Sequence, residues 1–140
     1  MGQSPGQFPD YGKLISQKWE TVSNPVRVQG KITKVDATED GKFAAISLNV
    51  TENLHYANQH YEYDYVGDTI DLYIKGDSAN PDILGKLEEG TMLAVTFSQV
   101  ALPDGKVFYG TDWRGVYLVE DNKYFTNDGK TLTKDELELQ

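Results

Sequence analysis

The sequence predicts a mainly β chain whose five strands close into a small barrel, with a short N-terminal helix and a C-terminal hairpin and helix appended. Three observations predict it. Strict apolar–polar alternation recurs between residues 26 and 119, which is the signature of strands buried on one face. Two turn signals, Glu39-Asp40-Gly41-Lys42 and Pro103-Asp104-Gly105-Lys106, each join a pair of such stretches into a hairpin. Gly30, Gly110 and Gly115 fall inside strands, where a barrel needs its strands to bulge or bend.

The chain has 140 residues, enough for one domain to bury a core without staples, and its 39% hydrophobic and 25% charged content is that of a globular protein. Residues 1–12, with Pro5, Pro9 and three glycines, read as a flexible arm, and residues 13–140 as one barrel domain. Leu14, Ile15 and Trp19 recur at helical spacing and predict one or two turns of helix over Lys13–Thr21. Asn24-Pro25 ends it, because proline pushes its predecessor out of the helical region.

Val26–Val35 is the first strand: Val26, Val28, Gly30 and Ile32 share one face, Arg27, Gln29, Lys31 and Thr33 the other. Phe43–Thr51 is the second, with Ala44, Ile46, Leu48 and Val50 inward and Ala45, Ser47 and Asn49 outward. Residues 53–66 form a tyrosine-rich connection. Asp68–Lys75 is the third strand, with Ile70, Leu72 and Ile74 inward. Asn80–Leu87 holds at most a short helix, Pro81 suiting a first turn. Thr91–Leu102 and Val107–Val119 are the fourth and fifth strands. Lys123–Thr126 and Lys130–Thr133 can pair across Asn127-Asp128-Gly129, and Thr133-Lys134-Asp135-Glu136 has the form of a capping box.

This order resembles an OB-fold over about residues 26–119. The resembling features are the Val26–Val35 strand with its internal Gly30, the Phe43–Val50 strand, the Gly76-to-Glu89 segment between strands three and four, and the lead Lys86-Leu87-Glu88-Glu89-Gly90-Thr91. The resemblance implies a five-stranded Greek-key barrel and a non-catalytic binding module. The tyrosine-rich insertion and the extension past Val119 depart from the pattern, and another small barrel or sandwich is the competing architecture.

Net charge is −9, from 13 basic and 22 acidic residues, which disfavours duplex DNA and anionic membranes at long range but leaves room for a local basic face. No apolar run is long enough for a membrane span. Residues 1–9 carry no leader pattern, so a cytoplasmic location is preferred, or an extracellular one if a leader has been removed. Cysteine is absent, excluding disulfides, thiolate metal sites and a thiol nucleophile. There is no Gly-rich phosphate loop and no Ser-His-Asp spacing, so no enzyme and no cofactor are expected.

The candidate ligand face is the outward side of strands one to three: Arg27, Lys31, Asn49, Tyr73 and Lys75, with Phe43 near its end. Cations along a track beside an aromatic platform suit single-stranded nucleic acid, the leading ligand. An ordinary solvated sheet face would look the same. The tyrosine-rich loop, Tyr61 and Tyr63 foremost, suits recognition of a protein or self-association, or packing over a barrel end. The alternative function is therefore a protein-interaction or assembly module, for example a surface or virion component, using the arm and this loop. His55 and His60 match no metal spacing, and the run from Asp128 to Glu136 fails as an EF-hand because Tyr124 and Thr126 occupy its ligand positions. Trp113 is expected in the core, and Arg114 beside it is a candidate for stacking or anion contact.

Overall fold

The computed structural model describes residues 11–54 and 63–139. Helix α1 is Tyr11–Ser16, followed by the short strand β1, Glu20–Thr21. The barrel strands are β2 (Val26–Ala37), β3 (Phe43–Leu54), β4 (Thr69–Lys75), β5 (Met92–Ala101) and β6 (Val107–Thr111). Helix α2, Pro81–Leu84, lies between β4 and β5, capped by Asn80, whose side chain accepts from the Asp82 amide. A 3-10 turn over Trp113–Gly115 leads into β7 (Val116–Glu120). The small strands β8 (Lys123–Phe125) and β9 (Thr131–Leu132) follow, then α3 (Lys134–Glu138).

The sheet closes. Antiparallel pairs join β2 to β3, β3 to β4 and β5 to β6; β4 runs parallel to β6; and β5 returns to β2 over Val26↔Phe97 to Lys31↔Met92. The fold is thus mainly β, with a closed five-strand barrel and a short helix near each end of the described chain. Closure gives β2 two partners at once, and its register against β3 slips at Gln29/Gly30 and at Ile32/Lys34. Bulges of this kind let a strand coil around a narrow barrel. Gly30 is required there: a Cβ would collide with the backbone carbonyl of Asn49.

The predicted inward set is the core. Val28, Ile32, Ala44, Ile46, Leu48, Val50, Ile70, Leu72 and Ile74 are buried together with Leu93, Val95, Phe97 and Trp113. After the second slip the parity of β2 changes, so Val35 instead of Lys34 packs on this core. Trp113 interrupts the predicted fifth strand, which is therefore two strands, β6 and β7, both paired to β5. The predicted helix over Lys13–Thr21 is shorter than expected and begins earlier. Its last residues leave the helix so that Glu20 and Thr21 can pair with Ala101 and Val100. Tyr11 and Gly12, assigned from sequence to the arm, belong to this helix.

The capping box is present as predicted: the Thr133 hydroxyl accepts from the Glu136 amide while the Glu136 carboxylate accepts from the Thr133 amide. Two further apolar clusters lie outside the barrel wall. One joins Leu14, Phe43, Ala45, Tyr73 and Leu102; the other joins Leu54, Ala94, Tyr117, Tyr124, Leu132 and Leu137.

Candidate functional site

The residues predicted to share one ligand face do point out of the barrel, but they do not form one surface. Arg27 is 1% exposed. Its Nε donates to Thr96 Oγ1 at 2.8 Å and its Nη1 to the Leu137 carbonyl at 2.7 Å, with the guanidinium 5.4 Å from the Tyr117 ring centre. The C-terminal helix α3 has closed over it. Phe43 and Tyr73 are buried at 1% and 4%, beneath Leu14 of α1. Burial raises the Tyr73 phenol to about 12, with the Asp71 carboxylate adding to it. The aromatic platform exists, but the chain covers it itself.

Lys75 is partly buried and holds that cover. Its Nζ donates to the Gln17 carbonyl at 2.8 Å and to the Leu14 carbonyl at 3.4 Å, and sits 5.2 Å from the Trp19 ring centre. Burial lowers its pKa. Lys31 is exposed, while Asn49 is half-buried and donates to Thr69 Oγ1 at 3.2 Å. Neither adjoins an aromatic ring of the predicted face. Of the loop tyrosines, Tyr61 lies outside the described residues, as do the arm up to residue 10, His55 and His60. Tyr63 is exposed, its hydroxyl donating to Asp68 Oδ2 at 2.7 Å and its ring 4.8 Å edge-on from Tyr65.

What the alternation concealed is a groove further round the barrel wall, over β5, β6 and β7. It has a volume of about 730 Å³. Small residues make its floor: Thr96, Ser98, Gly110, Thr111 and Gly115. Trp19 forms one side, edge-on to Phe108 at 5.0 Å, with its Nε1 donating to the Leu14 carbonyl at 2.8 Å. This seat exists because residue 110 is glycine; a Cβ there would stand 2.9 Å from the indole.

Lys18, Arg27, Lys75 and Arg114 all line the groove, against one acid among the described residues, Asp112. Arg114 Nη2 meets Asp112 Oδ2 at 2.8 Å, with the arginine side chain 84% exposed, so the pair is a solvated one that a competing anion can open. Lys18, Lys75 and Arg114 thus reach the groove beside Trp19 in a chain of net charge −9, while the buried Arg27 and Tyr117 lie within its wall. Cations and ring faces in one trough can take a phosphate backbone and stack an aromatic base. Sequence reasoning named Arg27, Lys75 and Arg114, but not their meeting, and treated Trp19 only as a helix position. The signal that could have found the groove was the run of small outward residues, Thr96, Ser98 and Gly110, which leaves a hollow on any sheet.

No cluster of three or more His, Asp or Glu side chains able to hold a metal occurs among the described residues. No helix among them is long and apolar enough to cross a membrane. Compared with known proteins, the chain matches no family model, and no curated protein matches it.

Proposed function

We propose that this protein is a non-catalytic binding module of the OB-fold type that takes single-stranded nucleic acid in the groove over β5, β6 and β7. The barrel type is supported by the strand order, in which a long hairpin, a third strand, a short helix and a second hairpin return to the first strand. The observation that carries the ligand is the gathering of Lys18, Lys75 and Arg114 around Trp19, on a body otherwise rich in carboxylates. An acidic shell repels a stiff duplex of high charge density, whereas a flexible single strand can thread a local basic trough. Trp19 supplies ring surface for sequence-tolerant base stacking.

The test is fluorescence anisotropy of a labelled oligothymidylate. Binding is expected at micromolar protein in low salt, weakening steeply as salt rises. Replacing Lys18 and Arg114 together by alanine weakens it by about tenfold, since removing a cation that neutralises one phosphate costs up to about 1 kcal/mol. Lys31→Ala, outside the groove, leaves it within about twofold. Absence of any anisotropy change at about 100 μM protein refutes the reading.

A further inference from the structure

The barrel carries a second hollow, of about 530 Å³, between β4 and β6. Its chemistry is the reverse of the groove's. Phe108 lines it, with Tyr73 beneath Leu14 at one side and Tyr109 beside it, together with Asp68 and Asp71 and, among the described residues, a single cation, Lys106. Phe108 and Tyr73 meet edge to face at 5.6 Å.

The two carboxylates are positioned but not neutralised. Asp71 accepts from the Ser47 hydroxyl at 2.7 Å and Asp68 from the Tyr63 hydroxyl at 2.7 Å. No lysine or arginine among the described residues lies within ion-pair distance of either. A neutral hydroxyl fixes a carboxylate's orientation while leaving its charge and remaining lone pairs for another donor. Val107, 53% exposed, adds an apolar lip.

We infer that this hollow is a docking site for an arginine side chain carried on an extended segment of a partner protein. Charge complementarity selects a cation. The combination with rings selects its type: a planar guanidinium can lie against an aromatic face while its N–H fork reaches a carboxylate in the same plane. A lysine ammonium satisfies the charge but stacks less well and cannot bind in a fork. The main chain beside the arginine then passes over Val107. The site is independent of the nucleic-acid groove, since neither Asp68 nor Asp71 lines that groove.

The test is titration of the 15N-labelled protein with a blocked Gly-Arg-Gly peptide, read by amide chemical shifts, with the Gly-Lys-Gly peptide and free arginine as comparisons. Saturable shifts confined to residues 68–73 and 106–109 are expected, at about millimolar affinity for so small a probe. The lysine peptide and free arginine bind at least about threefold more weakly, because one lacks the stacked fork and the other the flanking main chain. Asp71→Asn and Asp68→Asn each weaken the arginine peptide by about fivefold or more, and Asp121→Asn, at a distant turn, leaves it unchanged. Shifts spread over the whole acidic surface, equal binding of the three probes, or full binding by both Asn variants would overturn the assignment.

Discussion

Arg27 and Lys75 occupy equivalent situations on the two flanks of the groove, and the difference between them explains most of what happens on the barrel's outer wall. Both are cations at outward strand positions, and both donate to main-chain carbonyls of a terminal segment: Arg27 to Leu137 in α3, Lys75 to Leu14 and Gln17 at α1. A cation at the carbonyl end of a helix is favourable, because the last carbonyls lack helical partners and carry partial negative charge. Arg27 is covered completely, with Leu54, Ala94, Tyr117, Tyr124, Leu132 and Leu137 packed around that end of the molecule. Lys75 is covered only in part, because α1 sinks a single residue, Leu14, into the wall. The C-terminal cover is an extension of the core. The N-terminal one is a thin strap whose far edge, Trp19, still faces the groove.

The sharpest way to break this comparison is Arg27→Met, which keeps most of the side chain's length but leaves the buried Leu137 carbonyl, and the half-buried Thr96 hydroxyl, without the arginine donor. A loss of about 3 kcal/mol in urea unfolding is expected. Leu14→Ala removes the strap's anchor and is expected to cost about 2 kcal/mol, less than a full core truncation because the site can collapse towards solvent. Hydrogen exchange distinguishes the two: Leu14→Ala accelerates amides near Phe43 and Tyr73, whereas Arg27→Met accelerates β8, β9 and α3. If Leu14→Ala instead destabilises more than Arg27→Met, the ranking of the two covers is wrong.

The smallest effect concerns alkaline pH. Tyr73 is raised from 10.0 to about 12 by burial under the strap, with the nearby Asp71 carboxylate adding to it. The folded form therefore holds its proton more tightly than the unfolded form. That contribution to stability is complete below pH 10 and is lost as pH climbs from 10 to about 12. Tyr73→Phe should flatten the fall over that window by about 1 kcal/mol, after discounting for partial solvent screening. An unchanged slope would place the phenol in water.

The barrel was legible in the sequence because its interior is built from local alternation and local turns. Val28, Ile32, Ile46, Leu48, Leu72 and Ile74 all face the core that their spacing predicted. The candidate face was legible only as a direction. Arg27, Phe43 and Tyr73 do point outward, but alternation cannot distinguish an outward residue facing water from one beneath another segment. The groove was less visible still, since Lys18 and Trp19 reach it from before the first barrel strand, Lys75 from β4 and Arg114 from the 3-10 turn.

By itself, then, the amino-acid order determined the parity of most of the strand positions, the two hairpin turns, the Thr133 cap and the excess of negative charge. All but the last, a property of the whole composition, depend on residues within a few positions of one another. The tertiary structure alone decided which outer positions are sealed and where cations gather. Those outcomes rest on hydrogen bonds between residues 110 positions apart, as for Arg27 and Leu137, or 58 apart, as for Lys75 and Gln17. Such bonds form only once the closed sheet has brought α1 and α3 onto its wall.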